Sequence, residues 1–387
     1  MQVGHLELED FRNYRAQGLE LVDGLNLMVG HNAQGKTNLL EAVHCLSGLG
    51  SPRAPDAALV REGAERALLH AEVTRSGRRA SIDIEMRPGR GLRALVNKNP
   101  IARNKILSDI IVSVFFGPDE LSLVKGSPDG RRRFLDELVV KMRPVQDSLR
   151  RELERVLKQR NAQLKSMRRE GSTARSLLDP LAVWDEQLTK AGAALAAARL
   201  KALAALMPFS AHRYLEIAGG GGLIFDYVSS WLDVEAAAQA LADPENIDES
   251  LLAKAIGARI DELRQREVDR GQSLVGPQRD DVIVSLQTSG GSFLEARTYA
   301  SQGDQRTAAL ALKLGEHDLL TEVLEEPPVL LLDDVFSELD PSRRGWLREA
   351  VRSAGQTLLS TAETQGWQAL HAERAFEVSK GSAKQIA

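Results

Sequence analysis

Cysteine is almost missing from this chain: Cys45 is the only one in 387 residues. A single thiol forbids an internal disulfide and leaves no C-x-x-C pair for a metal, so Cys45 is expected to pack as a small apolar group on a helix. The seven histidines are scattered and form no H-E-x-x-H, so no protein-bound zinc is expected. Long apolar runs are lacking as well. No stretch approaches the roughly 18 to 20 consecutive apolar residues of a membrane span. Met1 to His5 offers neither the basic nor the apolar segment of a secretory signal. These absences point to a cytoplasmic chain without membrane association. Charge of one sign is also not in excess, with 50 Lys and Arg against 54 Asp and Glu and a net of −4. Any affinity for nucleic acid must then come from local distribution. The 43% apolar and 27% charged residues are enough for a sizeable core, and the length suits two or three domains.

Against that plain background two motifs stand out, one near each end. Gly30-His31-Asn32-Ala33-Gln34-Gly35-Lys36-Thr37 satisfies G-x-x-x-x-G-K-[ST], the phosphate-binding loop. The apolar Leu25 to Val29 before it suits a buried strand, and Thr37 to Leu46 after it carries Leu39, Leu40, Val43 and Leu46 on one helical face. Strand, glycine loop and helix together aim backbone N–H groups and a helix N-terminus at phosphates. Lys36 would reach the β- and γ-phosphates of ATP, and the Thr37 hydroxyl would ligate Mg²⁺. Near the other end, Val329 to Leu332 runs into Asp333-Asp334, as a Walker B strand does. Both motifs must serve one Mg²⁺–ATP, yet they lie about 300 residues apart. The sequence therefore predicts an α/β nucleotide-binding head assembled from both chain ends, 1–130 and 273–387, with a separate domain inserted at 131–272.

Ser301-Gln302-Gly303-Asp304-Gln305-Arg306 opens a helical stretch running to about Leu324, just before the Walker B strand. A Ser and a Gly at a helix N-terminus offer a hydroxyl, bare N–H groups and the helix dipole to an anion. ABC-type ATPases place an S-x-G motif here to contact the γ-phosphate of ATP held by a partner subunit, and the chain resembles them. Ser337-Glu338-Leu339-Asp340 is similar to their D-loop.

Between the ends, residues 1 to 30 read as a small β unit in which Leu19-Glu20-Leu21 pairs with the phosphate-loop strand across Asp23-Gly24. Three strands, Ala67–Thr74, Arg79–Met86 and Leu92–Val96, suggest an antiparallel sheet flanking the nucleotide. From Arg131 to Gln272 the period becomes helical, with Val145, Leu149, Leu153, Val156 and Leu164 on one stripe. Breaks at Gly171, Pro180 and Pro208 predict short helices, hence a compact α-helical arm, and Gly219 to Gly222 a flexible turn. From Lys125 to Arg175 fifteen Lys or Arg face seven Asp or Glu. Arg131, Arg132, Arg133, Arg150 and Arg151 are the first candidates there for tracking a DNA backbone; the alternative is a solvated basic face.

Taken together, Phe11-Arg12-Asn13-Tyr14, the phosphate loop, Phe116 to Leu121, Arg131 to Asp136, Gly276-Pro277-Gln278-Arg279-Asp280-Asp281, the S-x-G stretch and Leu330 to Asp340 resemble the RecF family. These are bacterial recombination-mediator ATPases related to SMC-type chromosome proteins. The resemblance implies ATP and Mg²⁺ as cofactors and a homodimer formed on ATP binding. It further implies DNA as partner (single-stranded, gapped or junction), RecR- and RecO-like mediators, and roles in replication restart and SOS induction. Residue by residue it places Gly30 to Thr37 on ATP, Asp333 with Thr37 on the metal, Asp334 as the base, and Ser301, Gly303 and Arg306 on the partner's nucleotide. Asp334 stands where ABC ATPases usually have Glu, and Ala362-Glu363 where transporters carry a switch His. Both departures imply slow hydrolysis. Another SMC-like switch or a transporter ATPase subunit stays open as an alternative, though the long insertion disfavours the latter. An SMC-like nuclease would need an acidic domain after the Walker B strand, and a vestigial DNA binder would not keep Lys36, Thr37, Asp333 and Asp334.

Overall fold

The computed structural model describes residues 1–101, 104–170, 178–338, 341–363 and 367–387. Within them the chain divides into two compact units. The first holds Met1–Leu121, His212–Gly220 and Arg306–Ala387; the second holds Ser122–Ala211 and Gly221–Gln305.

Two sheets make up the first unit. The antiparallel one contains β1 (Gln2–Phe11), β2 (Tyr14–Glu20), β4 (Ala67–Arg75), β5 (Arg78–Arg87), β6 (Gly91–Val96) and β7 (Asn99–Pro100), in the order β2-β1-β4-β5-β6-β7. Its inward positions Val3, Leu6, Leu8, Leu69, Ala71, Ile82 and Ile84 alternate with polar outward ones, as a sheet with one wet face requires. The other sheet contains β3 (Leu25–Val29), β8 (Ser113–Phe116), β12 (Val329–Asp333), β13 (Thr357–Thr361), β14 (Arg374–Ser379) and β15 (Ser382–Gln385), in the order β15-β14-β3-β13-β12-β8. β3, β12 and β13 are buried at every position. Such unbroken apolar runs mark parallel strands covered on both faces. The helices of this unit are α1 (Lys36–Cys45), α10 (Pro341–Arg352) and most of α9 (Gln302–Leu324). One sequence expectation fails here. Leu19 to Leu21 does not pair with the phosphate-loop strand: β2 pairs with β1, His5 opposite Glu20, while β3 lies between β13 and β14.

In the second unit α2 (Ser122–Lys125), α3 (Pro128–Met142), α4 (Asp147–Glu170), α6 (Val234–Ala242), α7 (Glu249–Arg270), α8 (Ala296–Tyr299) and most of α5 (Leu178–Ala218) accompany a small sheet. That sheet runs β11-β10-β9, with β9 at Leu223–Val228, β10 at Asp281–Gln287 and β11 at Phe293–Glu295. Leu164 and Met167 of α4, Leu181 of α5 and Val268 of α7 form one apolar cluster. Val145, placed on the same stripe by periodicity, lies before α4 and is 73% exposed.

The insertion is therefore not wholly helical, because the alternating Leu223, Phe225 and Tyr227 after the glycine turn form a strand against β10. Nor are its helices all short, since α5 runs 41 residues through Pro208. Pro208 sits on an exposed position, where a lost backbone bond is solvated, and Pro180 falls in the first turn, where the amide has no helical partner. Gly171 lies outside the described residues. By length and mean hydropathy Leu181–Ala218 would suffice to cross a membrane, although Lys190, Arg199 and Lys201 keep it from being one unbroken apolar run. Its Ala-rich window is instead 61% buried, as in a core helix.

Candidate nucleotide site and basic surface

The expected motifs meet at the carboxyl ends of the parallel strands. β13 lies between β3 and β12, so the phosphate loop and the Walker B strand are separated by one strand only. Thr37 Oγ1 stands 2.8 Å from both carboxylate oxygens of Asp333, across 296 residues of sequence. Ser360 Oγ donates to Asp333 Oδ1 at 2.6 Å. Asp334 follows with φ of 49°, its N–H directed to the Ser360 carbonyl at 3.2 Å and hydroxyl at 3.0 Å.

The loop itself is shaped for an anion. Ala33 and Gly35 adopt φ of 62° and 114°, the left-handed conformations that turn successive N–H groups inward. The N-terminus of α1 has no side-chain cap and no acidic residue in its first turn, leaving the positive helix end open to an anion. Lys36 Nζ donates to the carbonyls of Gly30 at 2.7 Å and His31 at 2.9 Å. Burial lowers the Lys36 ammonium below its ordinary pKa, opposed by the charges of Asp334 and Asp333. At Gly30 an added Cβ would fall 2.2 Å from the Val378 carbonyl oxygen, so only glycine fits. His31, Asn32 and Ala33 are exposed along the outer loop.

Two hairpins fix this loop from outside, β1–β2 and β14–β15. Asn13 Nδ2 donates to the Gln34 carbonyl at 2.9 Å, and Asn38 Nδ2 to Asn13 Oδ1 at 2.8 Å. Tyr14 OH donates to the Gly35 carbonyl at 3.1 Å, and burial pushes that phenol above its ordinary pKa. On the other side the β14–β15 turn gives Lys380 N–H to Gln34 Oε1 at 2.8 Å and Gly381 N–H to the Gln34 carbonyl at 3.3 Å. No motif marks that second hairpin; the glycine after a β-compatible run is its one signal. Arg12, in the same hairpin as Asn13, is bound to buried Glu41 on α1 by two hydrogen bonds of 2.7 Å.

Thr37 and Asp333 are hard oxygen donors of the kind Mg²⁺ accepts. Among the described residues no three His, Cys, Asp or Glu cluster for a metal. An ion here would take its remaining ligands from phosphate and water, as Mg²⁺ commonly does.

The remaining candidates distribute unevenly. Ser301 precedes α9 and accepts from the Asp304 N–H at 3.2 Å while donating to its carboxylate at 2.7 Å, a helix cap. Gly303 and Arg306 follow within α9, half-buried. The S-x-G residues through Gln305 belong to the second unit and Arg306 to the first. Leu339 and Asp340 of the expected D-loop lie outside the described residues. Glu363, beside the switch-His position, pairs with Arg344 at 3.1 Å.

Arg131 has to be withdrawn from the DNA surface. It is 6% exposed, and its guanidinium grips Asp281 at 2.7 and 2.8 Å, so it cannot also face a phosphate backbone. Arg132 is half-buried and donates to the Asp280 carbonyl at 2.6 Å. Arg133, Arg150 and Arg151 are exposed, the last two in one-turn pairs with Glu154 and Asp147 at 2.6 Å.

A profile of the family described as RecF/RecN/SMC N terminal domain matches residues 2–385. The "DNA replication and repair protein RecF" of Streptomyces avermitilis is 41% identical over 100% of both chains. The solved "Structure of the recombination mediator protein RecF-ATP in RecFOR pathway" aligns with a TM-score of 0.88 at 27% identity, covering 100% of this chain and 97% of that one. An SMC head bound to the C-winged helix domain of ScpA aligns at 0.56 with 15% identity, a likeness of fold. The chain belongs to the RecF/RecN/SMC family, and its similarity to RecF extends over its whole length.

Proposed function

We propose that the chain is a RecF-type, ATP-dependent DNA-binding protein of recombinational repair. Residues 1–130 and 273–387 form its ATPase head and 131–272 its arm. ATP joins two copies, Ser301, Gly303 and Arg306 of one completing the nucleotide site of the other. The closed dimer holds single-stranded, gapped or junction DNA and assists recombinase loading together with RecR- and RecO-like mediators. The observation that carries this reading is the Thr37–Asp333 contact of 2.8 Å, which brings two distant motifs to one point in a chain of RecF similarity throughout.

At that point Gly30 to Gly35 would cradle the phosphates, Lys36 would meet the β- and γ-phosphates, and Thr37 with Asp333 would hold Mg²⁺. The ion supplies charge neutralisation on the phosphates. Asp334 would accept the proton of the attacking water. A carboxylate one methylene shorter than the usual Glu reaches less far, which suits a slow switch.

The test is affinity for single-stranded, duplex and gapped DNA with and without ATP across a salt series, with sedimentation velocity alongside. ATP should convert monomer to dimer and tighten DNA binding. A chain that stays monomeric with ATP, and binds DNA equally without it, would overturn the proposal.

A further inference from the structure

The strand between the two motifs holds a residue that neither motif includes. β13 is paired in register with both neighbours, Ser360 opposite Asp333 on one side and opposite Met28 on the other. Residues opposed in a parallel ladder share a face, so the Ser360 side chain stands beside that of Asp333. Ser360 is fully buried and Asp333 is 6% exposed.

We infer that Ser360 is the positioning residue of the metal site, fixing Asp333 and Asp334 together to receive the Mg²⁺ of a bound nucleoside triphosphate; this rests on the nucleotide reading above. Three observations separate it from a buried serine that merely satisfies its hydroxyl. First, its hydroxyl donates to a carboxylate, Asp333 Oδ1 at 2.6 Å, the group that would face the ion. Second, the same oxygen accepts the Asp334 N–H at 3.0 Å, so one side chain ties both acidic residues. Third, Asp334 has φ of 49°, a left-handed conformation uncommon away from glycine though open to Asp, and its N–H is held there by both the carbonyl and the hydroxyl of Ser360.

Thr37 also donates to Asp333, at 2.8 Å, but its oxygen is the one a metal would claim. Ser360 comes from a buried strand and does not belong to the phosphate loop, so its hold on Asp333 is independent of the nucleotide. Partners of this kind orient a metal's direct ligands, and their loss commonly weakens metal affinity roughly ten- to a hundredfold.

Mn²⁺ binding to the full chain with saturating ATP, read by electron paramagnetic resonance, tests the assignment in Ser360→Ala and Ser360→Thr. ATP binding in EDTA is measured by calorimetry in parallel. Ser360→Ala should bind Mn²⁺ roughly ten- to a hundredfold more weakly while keeping metal-free ATP affinity within about twofold. Ser360→Thr, which keeps the hydroxyl, should recover most of the Mn²⁺ affinity. Wild-type Mn²⁺ affinity in Ser360→Ala would overturn the inference, as would an equal loss of metal-free ATP binding, which would mean a general collapse of the loop. Failure of the wild-type chain to bind Mn²⁺ with ATP would overturn the nucleotide reading and this inference together.

Discussion

Two Asp-Asp pairs look alike in the sequence and are treated oppositely by the fold. Asp280-Asp281 leads into β10, and Asp333-Asp334 marks the end of β12. Asp280 is 1% exposed and accepts from Tyr227 OH at 2.7 Å and Trp231 Nε1 at 2.9 Å, while Asp281 is gripped by Arg131. Arg199 adds two bonds to Asp136 and one to the Pro277 carbonyl, binding the same turn into its unit. Asp333 is held by the hydroxyls of Thr37 and Ser360, and no ion pair to it occurs among the described residues. Asp281, matched by a guanidinium, has its charge cancelled inside the protein, and burial disfavours the charge of Asp280 beside it. Asp333 is oriented by hydroxyls of the phosphate loop and of β13, with no cation paired to it among the described residues. The first pair builds a unit, and the second is the one proposed to serve the nucleotide.

Four experiments press on that contrast. Asp334→Asn should slow ATP hydrolysis by roughly a hundredfold or more and trap the ATP-bound dimer, since an amide cannot take a proton from water. Single-turnover rates decide it, and Asp280→Asn should leave them unchanged. Next in size, Arg131→Ala leaves Asp281 without its partner and should cost about 3 kcal/mol in urea unfolding, near the lower end for a broken buried pair because Asp281 is 23% exposed. Wild-type stability combined with weakened DNA binding would return Arg131 to the DNA surface.

The third uses pH. Burial raises the Asp280 carboxyl from 3.8 to about 6, against the lowering effect of its Tyr227 and Trp231 hydrogen bonds and of Arg199. A folded value above the unfolded one means the native state holds the proton more tightly, so this group's stabilisation is full below about 4 and is lost as pH rises through 6. The melting-temperature difference between wild type and Asp280→Asn should therefore shift in favour of wild type as pH falls from 7 to 4. A difference that does not vary with pH would show Asp280 ionised throughout. The smallest effect concerns arginines whose pairs are exposed. Arg150→Ala with Arg151→Ala should flatten the salt slope of DNA binding by about one to two units and change stability by at most about 0.5 kcal/mol. Unchanged affinity and slope would make them a solvated face.

What could be read from sequence divides along the same physical line. The phosphate loop, the Walker B strand and the strands of β4 to β6 were legible because local pattern alone determines them: a fixed glycine spacing, an unbroken apolar run, a two-residue alternation. Partner choice was not. Nothing in Leu19 to Leu21 says whether β1 or β3 lies beside it, and β1 takes it through the tight Arg12-Asn13 turn. Pro208 reads as a break unless the side it faces is known. Arg131 and Arg150 are the same letter in the same basic stretch, and only tertiary pairing with Asp281 makes one internal and leaves the other outside. Ser360 was passed over because a strand serine has no motif; its role lies in the register of β13 with β12.

The order of strands in the parallel sheet also has a consequence for how the molecule is made. β3 leaves the ribosome early, but both of its neighbours, β13 and β14, begin beyond residue 356. At a synthesis rate of about 5 to 20 residues per second, the phosphate loop waits on the order of 15 to 70 seconds for the strands that frame it. Throughout that interval Leu25 to Val29 is an apolar segment without hydrogen-bonded flanks, the kind of exposed edge that invites off-pathway association. Nucleotide affinity in the nascent chain should thus arise only once β13 and β14 have been made, and these two strands act as the gate to a competent site.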